Sequence, residues 1–296
     1  MLEKSIDTEK RMPSTLPPLR EIIKEFNLSA NKSLGQNYLM DLNLTGKIAS
    51  LAGDLEGTTV IEIGPGPCGL TRSLLEQNPA KVISVEIDNR FVPALKQIKD
   101  IYKESFEFFC MDGLDFDYST LANKPTKIVA NLPYNSASKF LVQWLLPKQW
   151  PPFWSGITLL LQKEVGERVT AQPNSKTYGR LSILSQLRSD AKILMNIPAQ
   201  AFTPVPKVDS VVVQILPKPS LLPVDAIQLF EKVIAMAFNQ RRKMIKTSLK
   251  KLPGNIVEYL EQAEIDPMSR PEQIPVTKYI KFVSIIQSQV EDLELK

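Results

Sequence analysis

Four consecutive residues, Asn131-Leu132-Pro133-Tyr134, carry the chemistry this chain can do. An amide oxygen and a backbone carbonyl accept hydrogen bonds, and proline fixes its own φ and brings no competing donor. A tyrosine ring adds a flat apolar face. Such a turn is suited to holding a planar amine by its hydrogens while a ring stacks on the base that bears it. Three more positions can serve beside it. Gly64, Gly66 and Gly69 in Glu62-Ile63-Gly64-Pro65-Gly66-Pro67-Cys68-Gly69 fit G-x-G-x-x-G, where glycine lets the backbone approach a ligand and a helix N-terminus favours an anion. That spacing alone is unspecific and fits a nicotinamide dinucleotide as well as other nucleosides. Glu86 stands 22 residues after Gly64, where a carboxylate accepts ribose hydroxyls. Asp112, in Cys110-Met111-Asp112-Gly113, can read an adenine edge together with backbone amides, or serve as the first residue of an Asp-Gly turn.

The elements that must position these residues follow from apolar periodicity. Thr58 to Ile63, Lys81 to Ile87, Glu107 to Met111, Lys127 to Ala130 and Gly156 to Leu161 read as strands. Helices are expected between them: Leu70 to Gln77, Asn89 to Asp100, a turn near Leu114 to Leu121, and Ser136 to Leu146. Strands interleaved with helices mean an α/β fold with a parallel sheet covered on both faces. Helices from Lys163 and from Tyr178 to Arg188 come next, then Lys192 to Ile197 and Ser210 to Leu216, two strands without a helix between them and so expected as an antiparallel edge. Gly64, Glu86, Asp112 and Asn131 thus fall at four successive strand ends, the side of such a sheet where ligands bind. The set describes an adenosine-like ligand laid across the sheet edge.

Residues 1–17 read as a loose tail broken by Pro13 and Pro17, ahead of amphipathic helices at Leu19 to Phe26 and Leu42 to Ala52. Pro217-Lys218-Pro219-Ser220 with Pro223 reads as a linker, dividing a part spanning 18–217 from a helical part spanning 218–296. In the latter, helices are expected over Asp225 to Phe238, Arg242 to Lys250, Asn255 to Ala263 and Val276 to Gln289. From Arg241 to Lys251 there are six basic residues and no acidic one, which by charge alone reads first as a solvated face.

Composition closes several routes. Histidine is absent from the 296 residues, which removes a histidine base, Ser-His and Cys-His nucleophiles and histidine metal ligands. The two cysteines, Cys68 and Cys110, are too few for a zinc site, and no metal is expected. Net charge is a mild +4. No apolar run is long enough to cross a membrane and the first residues lack a signal-peptide core. A cytoplasmic protein without membrane contact is the expectation.

Asn-Leu-Pro-Tyr after the fourth of these strands is the hallmark of amino-methyltransferases that use S-adenosylmethionine. From about Asn31 onward the chain resembles the ribosomal RNA small-subunit adenine dimethyltransferase family. Ser33-Leu34-Gly35-Gln36-Asn37-Tyr38-Leu39, Glu62 to Thr71, Phe202-Thr203-Pro204-Val205-Pro206-Lys207-Val208-Asp209-Ser210 and Phe238-Asn239-Gln240-Arg241-Arg242-Lys243 carry the likeness. It implies a Rossmann-like, class I S-adenosylmethionine methyltransferase fold with a small all-helical C-terminal domain. It implies cofactor contacts at Asn37, Leu39, Gly64, Glu86, Asp112 and Asn131, with Asn131, Leu132, Pro133 and Tyr134 receiving the target adenine. It also implies stacking of Phe202 on that adenine, and an RNA surface formed by Lys207, Arg241, Arg242 and Lys243, with Arg180 as an addition. The implied substrate is 16S rRNA within a small-subunit precursor, met by a monomer. Enzymes that methylate large-subunit adenine share most of these motifs but usually carry Ile at the position of Leu132, and an RNA-docking assembly factor or a nicotinamide oxidoreductase remain as other classes. The chain departs from the usual pattern twice, with Tyr38 in place of Phe and Cys68 in place of Gly; if position 68 needs a positive φ, Cys strains the loop.

Overall fold

The computed structural model describes residues 16–31, 34–121, 124–147 and 149–294. The tail expected over 1–17 lies outside the described residues as far as residue 15, as do Lys32 and Ser33 of the motif that ends at Leu39.

The strands are β1 (Tyr38–Leu39), β2 (Thr59–Ile63), β3 (Lys81–Glu86), β4 (Phe106–Cys110), β5 (Thr126–Asn131), β6 (Gly156–Gln162), β7 (Ser189–Ile197), β8 (Phe202–Thr203) and β9 (Ser210–Pro217). Seven form one sheet in the order β4-β3-β2-β5-β6-β9-β7. All neighbours in it are parallel except β9, which runs antiparallel to both β6 and β7. The expected antiparallel pair therefore exists, but β9 is inserted beside β6 and leaves β7 at the edge.

Alternation along the strands explains why they read as unbroken apolar runs. Val60, Val82, Val129 and Leu160 face one apolar cluster, while their neighbours Ile61, Ile83, Ile128 and Leu161 face another. The first cluster is covered by α1 (Leu19–Glu25), α2 (Leu42–Ser50), α3 (Gly69–Glu76) and α4 (Val92–Tyr102), through residues such as Ile22, Ile48, Leu74 and Leu95. On the other face lie α5 (Ala137–Leu145), with Phe140, Leu141 and Trp144, and α6 (Lys163–Thr170), with Val169. The order reverses between β2 and β5, so a crevice opens at their carboxyl ends.

A third cluster is built by α7 (Arg180–Arg188), α8 (Ala226–Asn239), α9 (Ile245–Ser248), α10 (Ile256–Gln262) and α11 (Val276–Glu294). Ile183, Leu184 and Leu187 of α7 pack in it beside Phe230, Tyr279 and Phe282. The segment expected as a linker is held at several points. Lys218 N–H donates to Arg188 O at 2.8 Å, Trp150 Nε1 donates to Lys218 O at 2.9 Å, and Leu222 is buried.

Two local expectations are corrected. The helix expected over Arg242 to Lys250 contracts to Ile245–Ser248, because α8 ends at Asn239 and Lys243 N–H turns back to Gln240 O at 2.8 Å. The loop from Asn31 to Leu39 ends in β1, which pairs antiparallel with β8, Leu39 opposite Phe202.

Candidate active site

The crevice is a cavity of about 260 Å³, lined from four strand ends and from the segment before β1. Asn37, Leu39, Gly64, Glu86, Asp112, Asn131, Leu132, Pro133 and Tyr134 all line it. Two lining glycines, Gly64 and Gly66, take φ of +68° and +52°, in the left-handed region that side chains avoid. Gly69 opens α3 for another reason. A Cβ there would lie 3.0 Å from Leu39 O, so glycine lets β1 close against the helix start. Cys68 does stand at a positive φ of 67°, buried as the N-cap of α3. The strain expected at this position is therefore present, and burial pushes its thiol pKa up.

Glu86 ends β3 at 3% exposure, its Oε2 accepting from Gly66 N at 3.1 Å and Oε1 from Asp88 N at 2.9 Å. Burial raises its pKa and these two backbone donors oppose the rise. The glycine turn and the acid of the next strand are thus one hydrogen-bonded unit. Asp112 Oδ1 caps Leu114 N–H at 2.9 Å, so one oxygen makes the Asp-Gly turn while the residue still faces the cavity.

The Asn131 amide is oriented by chemistry. Its Nδ2 donates to Asn37 O at 3.2 Å. A carbonyl can only accept, so the NH₂ faces Asn37 and Oδ1 is turned away from that partner, free to accept elsewhere. Pro133 O accepts from Ser136 N at 3.1 Å and Ala137 N at 3.2 Å, converting the strand end into the start of α5. Leu132 anchors its side chain in the core beneath. The Tyr134 hydroxyl pairs with Ser210 Oγ at 2.8 Å, which ties the ring to the first residue of β9, and burial raises its pKa.

A polar clasp closes the other side. Gln36 Nε2 donates to Asp88 Oδ2 at 2.9 Å, and Gln36 Oε1 accepts from Tyr38 OH at 2.9 Å and Asn31 N at 2.8 Å. Arg90 grips Asp88 at 2.6 Å, and its guanidinium is the first reason the Asp88 pKa falls to about 2. The Tyr38 hydroxyl thus adds a bond that Phe would lack; burial pushes its pKa up to about 12.

A family model described as ribosomal RNA adenine dimethylase matches residues 27–288. The chain belongs to the ribosomal RNA adenine dimethylase family. A ribosomal RNA small subunit methyltransferase A of Ruegeria sp. (strain TM1040) is 51% identical over 266 residues, covering 89% of this chain and 94% of the relative. In structure the chain is similar to a dimethyladenosine transferase from Plasmodium falciparum, with TM-score 0.70, 23% identity and coverage of 83% of this chain and 96% of that one. It is also similar to the 23S rRNA methyltransferase ErmE, with TM-score 0.65, 23% identity and coverage of 85% and 100%. The fold is that of the class I S-adenosylmethionine methyltransferases.

The cavity of this adenine dimethylase family member suits S-adenosylmethionine on its own terms. It combines a backbone cradle that a Cβ would strain at Gly64 and Gly66, a buried carboxylate at a strand end for hydroxyls, and a second acid for a base edge. Glu62 also lines the cavity, although the sequence motifs leave it without a role. At 1% exposure it accepts Thr71 Oγ1 at 2.7 Å and Ser84 Oγ at 2.8 Å, and burial raises its pKa to about 7. Gln36 and Ser210 are likewise not singled out by sequence. Each sits inside a motif, but the partners are 52 and 76 residues away, so nothing local marks the bonds.

The RNA-side expectations divide. Phe202 does not line the cavity: at 1% exposure its side chain belongs to the apolar cluster that also holds Tyr38, Leu39 and Ile197, and its strand β8 pairs with β1. Lys207, Arg242 and Lys243 are exposed and make no side-chain bond among the described residues. Arg241 instead pairs with Glu272 at 3.0 Å and donates to Lys176 O at 2.8 Å, and Arg180 pairs with Glu231 at 2.6 Å.

Among the described residues no His, Cys, Asp or Glu cluster could hold a metal ion, and no helix is long and apolar enough to cross a membrane.

Proposed function

We propose that this chain dimethylates the 6-amino groups of two adjacent adenosines in the 3′-terminal hairpin of 16S rRNA. S-adenosylmethionine, when bound, supplies the electrophilic methyl group. The single observation that carries the reading is the orientation of the Asn131 amide, Nδ2 on Asn37 O and Oδ1 away from it.

The amino nitrogen of adenine is a poor nucleophile because its lone pair is delocalised into the ring. Asn131 Oδ1 and the Leu132 carbonyl accept its two hydrogens, localise that lone pair and stabilise the positive charge that develops on nitrogen. Tyr134, held at its hydroxyl by Ser210, stacks on the base and sets its plane. The cationic product loses its proton to water, which fits a chain with no histidine. After one methylation a single hydrogen remains, and the amine rotates before the second. The substrate is read as a precursor small subunit in the cytoplasm, met by a monomer, with a part in subunit maturation.

The test uses labelled cofactor and small subunits from cells lacking the modification. Dimethyladenosine in the 3′-terminal hairpin of 16S rRNA, found by mass spectrometry, is the expected product. Absence of transfer to adenosine, or transfer only to 23S rRNA, overturns the reading.

A further inference from the structure

Arg90 does not line the cofactor cavity; it lies in the short helical turn Asn89–Phe91 that follows β3. Its side chain is 41% exposed, yet every guanidinium nitrogen is engaged by the protein. Nε donates to both Asp88 oxygens, Oδ1 at 2.9 Å and Oδ2 at 3.1 Å, and Nη2 donates to Oδ2 at 2.6 Å. Nη1 donates to Ser29 O at 3.2 Å, and Nη2 also meets Gln36 Oε1 at a longer 3.4 Å. A solvated surface arginine leaves most of its five N–H donors to water. This one directs all three nitrogens at three separate segments of the chain.

Those contacts converge on Gln36, whose amide is held at both ends. Its Nε2 donates to Asp88 Oδ2 at 2.9 Å, while its Oε1 accepts from Asn31 N at 2.8 Å and from the Tyr38 hydroxyl at 2.9 Å. The Gln36 and Tyr38 side chains therefore join each other across Asn37. The Tyr38 ring rests against the glycine turn, since a Cβ on Gly66 would lie 3.6 Å from two of its ring atoms. Leu39 is fixed in turn by the pairing of β1 with β8. Asn37 is thus bracketed on both sides, and its carbonyl is the group to which Asn131 Nδ2 donates at 3.2 Å. Asp88 also reaches the opposite wall of the cavity, its N–H donating to Glu86 Oε1 at 2.9 Å. The clasp connects the acid at the end of β3 to the segment that aims the amide at the end of β5.

We propose that Arg90 is a positioning residue for methyl transfer: through Asp88 and Gln36 it fixes the Asn37 carbonyl that orients the Asn131 amide. Tyr38 works in the same clasp, its hydroxyl closing Gln36 over Asn37. The proposal rests on the reading of Asn131 as the acceptor of the amine hydrogens. Asn131 Oδ1 is presented to that amine only while Nδ2 stays on Asn37 O, so a shift of the carbonyl turns the acceptor away. Without the guanidinium the buried Asp88 carboxylate loses its ionic partner, and Gln36 is no longer held from that side.

A double-mutant cycle on the single-turnover rate tests this, run with the full chain at pH 8, saturating labelled cofactor and unmodified small subunits. Arg90→Gln is expected to lower the rate about ten-fold, and Tyr38→Phe, which removes only the hydroxyl, about three-fold. In the Asn131→Asp background the donor to Asn37 O is already gone, so either substitution is expected to lower the rate by less than about two-fold more. Residues that merely hold the fold together would cost the same in both backgrounds. Losses of equal size in the two backgrounds therefore overturn the proposal, as does an Arg90→Gln rate within about two-fold of the unsubstituted chain. Should urea unfolding show that Arg90→Gln does not fold, the same cycle with Tyr38→Phe decides. An Asn131→Asp rate within about three-fold of the unsubstituted chain is the separate result that overturns the reading of Asn131 itself.

Discussion

Asn131→Asp separates the two ends of the amide. If the side chain only accepted amine hydrogens, a carboxylate would accept them at least as well. In the structure the other end is also engaged, because Nδ2 donates to Asn37 O at 3.2 Å. A carboxylate cannot donate, so the substitution removes one hydrogen bond and sets an anionic oxygen against a carbonyl. The lost bond is worth about 0.5–1.5 kcal/mol, and a carbonyl left without a partner about 1–3 kcal/mol more. At about 1.36 kcal/mol per decade, a total of about 1.5–4.5 kcal/mol lowers kcat/KM roughly 10- to 2,000-fold. Asn131→Ala removes the acceptor as well and is expected to lose at least about 10²-fold. The two variants differ in pH response. A protonated carboxyl donates to Asn37 O, so the deficit of Asn131→Asp shrinks as pH falls from 8 toward 5, while that of Asn131→Ala relative to the unsubstituted chain stays constant. The assay is single-turnover methyl transfer to unmodified small subunits. An Asn131→Asp rate within three-fold of the unsubstituted chain at pH 8, or a deficit that ignores pH, would refute the anchored-amide reasoning.

Ser210→Ala removes the partner of the Tyr134 hydroxyl and is expected to cost about 1 kcal/mol in urea unfolding, with a fall in kcat larger than any change in cofactor affinity. Glu62 has a folded pKa raised from 4.5 to about 7, so its contribution to stability is complete below about pH 4.5 and is lost as pH rises through about 7. Glu62→Gln should therefore gain up to about 3 kcal/mol on the unsubstituted chain between pH 4.5 and pH 8, read by denaturant unfolding at each pH. Cys68→Val places a β-branched residue at φ 67° and is expected to destabilise by about 2 kcal/mol or more, whereas Cys68→Gly, which relieves strain but loses a buried side chain, stays within about 1 kcal/mol in the same measurement.

The central sheet was legible because both its faces are covered. Val60 and Ile61 must both be apolar when one enters each cluster, so β2 appears in the sequence as a plain run bounded by a glycine turn. The strand-end residues followed from that register, and all six expected cofactor contacts line one cavity. What stayed hidden depends on distant pairing. A two-residue strand has no period to read, so β1 and β8 are invisible until Leu39 meets Phe202, and the ring the sequence assigned to stacking is buried. Charge misled in a similar way. Arg241 reads as one of six cations within eleven residues, yet its partner Glu272 is 31 residues further on and holds it in an ion pair.

The same distances explain why the site needs the whole fold. Asn131 is oriented by Asn37, 94 residues earlier, and Tyr134 is held by Ser210, 76 residues later. Neither bond can form until β5 is flanked by the segment before β1 on one side and by β9, across β6, on the other. The four-residue turn supplies the chemical groups, but the direction of its amide and the plane of its ring are set by elements at either end of the α/β part. A peptide of the turn alone would carry the groups without the alignment, and alignment is what turns an acceptor into a catalytic one.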